Sequence, residues 1–485
     1  MKTTLKYGII LLLLAGFTTS CDDFLNETSS AQITADDQFK EASGFKDALI
    51  GVYISMTQPE LYSRDMGYNL VDILSRQYAP LNGSALYSQI QDYNYRGVLS
   101  TSQVDNLWIK TYNTIANINS ALDAIDEKAT VLSDIDYSII KGELLGLRAF
   151  LHFDLMRLYG KGDLANRGDL AGEFGVPYVT SFSKDVTPRR SYAETFALLA
   201  TDLEEASELL KEDPIYTEID RPANYYTEVN RNGFYNQREQ RMNYYAVKAL
   251  QARVLTWEGG LTNLDAARTA AEEVINKSTA ALINPSSYAI SSDPILYPEV
   301  LFALDVNALE NITNGFLNAA TFNTNLNALY LDASTADALY ETSNPNIGVA
   351  DIRFNTLLES QTRGLVSTKL IQKNGLINPE KVPVLKLPEM YYIAAEYYIE
   401  NNQLDLAIAN LNSVRQSRGI IEDIAETATK EELEEELIKE FRKEFIGEGQ
   451  LFFAYKRLGL TTFPGLGATL ATDDIYVLPI PDTEL

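Results

Sequence analysis

Residues 388–418 read PEMYYIAAEYYIENNQLDLAIANLNSVRQSR. The apolar positions fall at helical spacing twice, over 388–401 and again over 404–418, so the stretch predicts two helices joined by a short turn. Ala394, Ala395 and Glu396 on the first helix and Ala407 and Ile408 on the second put small side chains where two helices would cross closely. The same arrangement occurs upstream. Helices over 242–257 and 264–276 carry Ala246, Ala249 and Ala252, then Ala266, Ala267 and Ala270, and Gly259–Gly260 joins them. Small residues let paired helices approach, and stacked pairs bury a continuous core that one pair cannot bury alone.

Outward from these pairs the chain stays helical. Phe45, Ala48, Leu49 and Val52 form one stripe; Leu107, Trp108, Tyr112, Ile115, Ile118, Asn119 and Leu122 form a second. A third runs from Ile139 and Ile140 through Leu144, Leu147, Phe150, Leu151 and Leu155 to Leu158, with Gly160 as its C-cap. A helix over 192–211 opens with Ser191 and Glu194 at capping-box spacing. A last one over 431–447 sets Leu437, Phe441 and Phe445 on one face. Strand-like pieces are few: 365–371, 384–387 and 476–480. The two Ala-rich pairs look like degenerate tetratricopeptide repeats, so the expected fold is mainly α, a helix-pair scaffold interrupted by long irregular insertions. Three insertions stand out, at 76–101, 213–241 and 284–340, all rich in Tyr, Asn, Ser and Phe. Loops this long in a compact protein are functional or disordered, and their aromatic content argues against disorder.

The N-terminus reads as an export signal. Lys2 and Lys6 precede an apolar run over 9–17, broken only by Gly16, and the small residues Thr18, Thr19 and Ser20 lead to Cys21, the only cysteine in the chain. This is too short for a stable membrane span. A single cysteine after small residues resembles a bacterial lipobox, with Thr18 where Leu is usual; the alternative is a stray thiol. Acylation of Cys21 would anchor the protein, at about 0.8 kcal/mol per buried methylene. Asp22 and Asp23 resemble the surface-export signal of Bacteroidetes lipoproteins and equally suit a solvated tether. The expected organisation is a signal peptide over 1–20, a lipidated tether over 21–40 and one domain over 41–485, its two parts meeting near residue 240. The net charge of -27 becomes -29 once Lys2 and Lys6 are removed. With no basic stripe, that balance repels nucleic acid.

Catalytic signatures are scarce. The single histidine, His152, sits among Phe150, Leu151 and Phe153 and reads as a core residue, which removes Ser-His-Asp and Cys-His chemistry and histidine zinc sites. No nucleophile elbow or phosphate loop is present, and Gly465–Leu466–Gly467 has Leu470 where a dinucleotide fingerprint needs its third glycine. It reads as a glycine-rich turn. Paired carboxylates could act on a glycoside, but no pair is singled out, and Glu431, Glu432, Glu434, Glu435 and Glu436 suit a solvated helix start. No cofactor or metal is expected. The chain is instead rich in tyrosine, whose flat apolar face and polar tip suit sugar rings. The candidate ligand residues are Arg76, Tyr78, Tyr87, Tyr93, Tyr95 and Arg96 in the first insertion and Tyr225 and Tyr226 in the second. The competing reading is that these tyrosines pack the loops onto the helices.

The order of motifs resembles the SusD/RagB family over essentially the whole exported chain. Cys21–Asp22–Asp23–Phe24–Leu25 is similar to its opening, and Phe39 with Ala48, Leu49, Gly51 and Tyr53 to its first helix. Trp108, Tyr112, Ile115, Ala116 and Asn117 follow, then Arg148–Ala149 with Phe153, Leu155, Tyr159 and Gly160, then Pro177. In the second half Glu389, Tyr391, Ala395 and Glu396, then Leu411, Val414 and Arg415, then Glu440, Glu444, Glu448–Gly449, Arg457 and Gly459 precede the closing Leu478–Pro479–Ile480–Pro481 with Glu484–Leu485. Phe441, Leu451, Ala454 and Lys386 depart from the pattern and suggest buried ion pairs replaced by apolar packing. The resemblance implies a SusD-like right-handed scaffold of tetratricopeptide-like helix pairs. It also implies an outer-membrane lipoprotein that binds an oligosaccharide, or in some members a peptide, and hands it to a SusC-like TonB-dependent transporter. No binding residue carries over by motif. A surface scaffold that binds only a protein, and a carboxylate-dependent glycosidase, are the alternatives to a non-catalytic capture protein.

Overall fold

The structure is a computed structural model of the 485-residue chain and describes residues 35–170, 172–222, 224–227, 229–317 and 324–484. The expected signal peptide, Cys21, most of the 21–40 tether and the closing Leu485 lie outside the described residues.

Eight helices follow one another, each packed on its neighbour: α1 (Ala42–Met56), α2 (Thr101–Glu127), α3 (Asp134–Tyr159), α4 (Tyr192–Leu209), α5 (Tyr244–Glu258), α6 (Leu261–Lys277), α7 (Leu387–Glu400) and α8 (Leu404–Ser417). Two more, α9 (Lys430–Glu444) and α10 (Leu451–Arg457), close the series, with α9 laid against α7 and α8. Most of the small residues act as the sequence suggests, but Ala266 is corrected: it faces solvent, and Ala267 and Ala271 take the crossing on α6. Ala246, Ala249, Ala252, Ala267, Ala394, Ala395 and Ala407 are fully buried at these crossings. On α3 the glycines do the same: a Cβ at Gly142 would stand 2.7 Å from Leu210 and one at Gly146 2.7 Å from Met242, so only glycine lets α3 lie this close to the following elements.

The helix ends follow their caps. Ser191 and Glu194 form the full capping box of α4, and Thr429 with Glu432 forms a second one on α9. The α3 helix stops at Gly160, whose N–H bonds to Met156.

Strands are short. β1 (Phe174–Pro177) pairs with β2 (Arg189–Ser191), β3 (Val300–Asp305) with β6 (Lys381–Lys386), and β4 (Leu358–Ser360) with β5 (Leu365–Ser367), all antiparallel. The β3–β6 pair feeds straight into α7. Two strand expectations are corrected: 365–371 is extended only to Ser367, and 476–480 is no strand. Residues Asp473–Tyr476 turn helically, and Leu478 N–H then bonds to Leu158 O at the end of α3. Lys386 is also corrected. It keeps a buried ionic role, 3.2 Å from Glu444 and 3.4 Å from Glu448. Phe441 is apolar packing as expected, against Tyr392 and Phe445.

Candidate functional site

A groove of about 590 Å³ opens where the first insertion meets the C-terminal half. One wall is Arg76, Gln77, Tyr78 and Pro80. The facing wall is the short helix Ala333–Tyr340 with its preceding residue Asp332, which presents Ser334, Thr335, Ala338 and Leu339. Lys439 and Arg442 of α9 form the base, and Pro464–Gly465 one end.

Each wall is fixed by contacts distant in sequence. Ala79 N–H donates to Tyr330 O at 2.8 Å, tying the first insertion to the third. Gln77 is buried and bonds Arg442 twice: Gln77 Nε2 donates to the Arg442 carbonyl at 3.1 Å, and Arg442 Nε donates to Gln77 Oε1 at 3.2 Å. Gly465 has φ +87°, and a Cβ there would stand 2.4 Å from Arg76 O, so the glycine-rich turn read from the sequence closes directly on the Arg76 backbone. Arg76 itself holds a left-handed backbone at φ 57°, as does Tyr93 at φ 58°. Such conformations cost a non-glycine residue about 1–3 kcal/mol and cluster at functional sites. The two side chains meet, with the Arg76 guanidinium 5.1 Å from the Tyr93 ring centre.

Behind the groove lies Asp72. Its Oδ2 accepts from Tyr78 OH at 2.6 Å and from Gly447 N–H at 2.8 Å, and the Gly449 main chain also favours the carboxylate. Burial pushes its pKa up to about 7, against the opposing pull of those donors.

The structure separates the eight candidate ligand residues. Arg76 and Tyr78 line the groove, and Tyr93 stands behind Arg76 with its hydroxyl on Leu74 O at 3.0 Å. Tyr78, Tyr87 and Tyr95 are corrected as stacking platforms: at 4%, 1% and 5% exposure they offer no ring face to a ligand. Tyr87 donates to Asp65 at 2.7 Å and Tyr95 to the Ile475 carbonyl at 2.5 Å. Arg96 is exposed and latches the C-terminal segment through Asp482 and Ile480 O. Tyr225 and Tyr226 are half-buried on Glu212 and do not line the groove. The packing alternative therefore describes Tyr78, Tyr87 and Tyr95. Tyr53, Tyr62, Tyr78, Tyr87, Tyr178 and Tyr235 each donate to a buried carboxylate.

Sequence reasoning missed Gln77, Asp332, Ser334, Thr335, Lys439 and Arg442. A signal existed for the last two, because α9 begins KEELEEEL and then turns basic at IKEFRKE, placing Lys439 and Arg442 three residues apart on one face.

His152 is a core residue. Its Nδ1–H donates to Arg148 O at 2.9 Å, its Nε2 accepts from Val179 N–H at 2.9 Å, and its ring stacks on Tyr178 at 3.9 Å. Burial lowers its pKa to about 3, so it is neutral across the physiological range. Among the described residues no cluster of His, Cys, Asp or Glu could hold a metal, and no helix is long and apolar enough to cross a membrane.

The class this defines is a helix-pair scaffold that presents an open polar groove built from its insertions. The chain belongs to the SusD/RagB family. Residues 23–227 match the SusD-like family described as starch-binding and associating with the outer membrane, and residues 319–484 match the SusD family. Among solved structures, a SusD-like carbohydrate binding protein from Bacteroides vulgatus superposes with a TM-score of 0.69 at 19% identity, covering 92% of this chain and 96% of that one. A SusD superfamily protein from Bacteroides thetaiotaomicron gives 0.69 at 21%, covering 92% and 97%. At such identities the likeness establishes the fold. SusD-like protein P38 of Formosa agariphila is 26% identical over 203 residues, 41% of this chain and 36% of that protein. SusD-like protein P25 of the same organism is 24% identical over 161 residues, 31% and 30%. The chain spans about a third of the length of these curated relatives.

Proposed function

We propose that this protein is a cell-surface binding protein of the outer membrane, anchored through lipid on Cys21, that captures an oligosaccharide and passes it to a SusC-like TonB-dependent transporter. The observation that carries the reading is the groove between Arg76 and Arg442: open, about 590 Å³, and lined by guanidinium, ammonium, amide and hydroxyl donors that suit sugar hydroxyls. The starch-binding description of the matching family and the carbohydrate-binding description of a solved relative support it.

Capture without turnover fits the same groove. Among the described residues Asp332 is the sole carboxylate in its lining, whereas glycoside hydrolysis needs two flanking one bond. Affinity is modest, because exposed hydroxyls exchange water bonds for protein bonds at little net gain.

Isothermal titration of the soluble form beginning at Asp22, against plant, host and microbial oligosaccharides and peptides, tests this. The expected result is binding of a saccharide that is recovered intact. Release of shortened sugars would make the protein an enzyme. Failure of every ligand, with retained co-purification of a barrel partner, would make it a protein-binding scaffold.

A further inference from the structure

We infer that the groove selects anionic saccharides, those whose rings carry a carboxylate or a sulfate. This rests on the oligosaccharide reading above and names its ligand class.

The argument is one of charge placed against the trend of the chain. The protein carries a net charge of -27, yet the groove lining sets Arg76, Lys439 and Arg442 against Asp332 alone. The three cations are not equally available. Lys439 is answered by Glu341 at 3.1 Å and Glu436 at 2.5 Å. Arg76 meets Asp92 at 3.4 Å, but that carboxylate is 70% exposed, and a pair of this kind is weak and easily exchanged. Arg442 makes no ion pair among the described residues.

Arg442 is also held in place. The buried Gln77 side chain takes its Nε–H and binds its main-chain carbonyl, so the guanidinium is oriented by an amide that leaves its charge uncompensated. A guanidinium fixed at Nε offers its Nη groups as a fork, the geometry that carboxylate and sulfate oxygens accept two at a time. Ser334 and Thr335 in the same lining supply hydroxyls for the rest of a sugar ring. Arg76 and Lys439 each have a carboxylate beside them, so Arg442 is the groove cation whose charge is left for a ligand, and at physiological ionic strength, where the reach of a charge is about 8 Å, the remote acids of the chain are screened from it. A neutral sugar would cover Arg442 without answering its charge, which makes the site discriminate against it.

The test is titration of the full-length protein, purified in detergent, with three probes of equal length: an oligogalacturonate for carboxylate, a carrageenan-derived oligosaccharide for sulfate, and a malto-oligosaccharide as the neutral ligand. We expect one or both anionic probes to bind about tenfold or more tighter than the neutral one, with affinity that falls as salt is added. Which anionic probe binds identifies the group. Arg442→Gln should weaken the anionic probe by about tenfold or more and the neutral probe by much less, with a thermal melt recorded beside each titration; Arg442→Lys should recover only part of the loss. Neutral binding as tight as anionic, or anionic binding indifferent to Arg442→Gln with a normal melt, overturns the inference and leaves oligosaccharide capture standing. Failure of all three probes together with every other saccharide overturns both.

Discussion

Replacing Arg418 with Met should destabilise the protein far more than any surface substitution. Arg418 is fully buried between α8 and α9 and holds two buried carboxylates. Its Nη1 and Nη2 bond Glu299 at 2.8 and 2.6 Å, and its Nε and Nη2 bond Glu444 at 2.9 Å each. After Arg418→Met, Glu444 keeps Lys386 at 3.2 Å and Arg353 at 3.3 Å, but Glu299 keeps only the Ile283 N–H at 3.1 Å. One buried charge is then uncompensated, which costs about 3–5 kcal/mol. Unfolding entropy of about 2 cal/mol/K per residue puts the melting point of a chain this size down by roughly 3–5 °C. Urea and thermal unfolding measure it. In the double variant Arg418→Met/Glu299→Gln the orphan charge is gone, so the two losses should fall short of additive by about 1–3 kcal/mol. The acid limb should change too. Burial pushes the Glu444 carboxyl up, but Arg418 and Lys386 outweigh it and hold its pKa well below the usual carboxylate range. A depressed pKa contributes stability that is present above the unfolded value of about 4.5 and is lost as pH falls through the folded one, so Arg418→Met should flatten that loss. A loss under about 1 kcal/mol with strict additivity would refute the reasoning.

Asp72 carries the opposite sign: its folded pKa of about 7 lies above the unfolded 3.8, so its contribution is present below 3.8 and is lost as pH rises through 7. Asp72→Asn should therefore gain stability relative to the parent as pH rises through that window, from about 3.8 to about 7; thermal melts at the two ends of the window that show no relative change would reject the protonated carboxyl. Gly465→Ala forces a Cβ against Arg76 O at a positive φ, and should cost about 1–3 kcal/mol in urea unfolding and weaken oligosaccharide binding in titration. Ser191→Ala removes the α4 capping box and should cost about 1 kcal/mol, read from the same unfolding curves, with ligand binding intact.

The helices were legible because each buries a stripe that repeats locally, and because caps such as Ser191–Glu194 and Gly160 are written in adjacent residues. The strand pair was half hidden. The strand Val300–Asp305 is apolar up to its last residue and lies inside an insertion, and its partner Lys381–Lys386 lies some eighty residues on, so nothing local marks the pairing. The family motifs were legible for a structural reason. Arg148 pairs with Asp202 at 2.6 Å, Glu389 with Arg253 at 2.6 Å, and Glu396 with Arg457 at 2.6 Å, all buried or nearly so. Those residues identify the scaffold and say nothing of the ligand. Lys386 was misread because a lysine in place of an arginine looks like a lost pair, whereas its ammonium still reaches Glu444 and Glu448.

The groove could not be read in the same way because its walls come from residues 76–80, 332–339, 439–442 and 464–465, brought together only by folding. Tyrosine clusters drew attention to the first of these segments for a reason the structure changes. Tyr78 does not present its ring to a ligand; Tyr78 and Tyr93 hold the insertion in place through Asp72 and Leu74 O, while Arg76 lines the opening. Aromatic density in the sequence therefore marked the support of the site and its neighbour marked the site. The same logic makes the groove depend on contact between the two halves of the chain. Gln77 on Arg442, Gly447 on Asp72 and Gly465 on Arg76 are all contacts of the N-terminal part with the C-terminal part, so a perturbation that loosens the two parts should reach ligand affinity before it reaches the helical core.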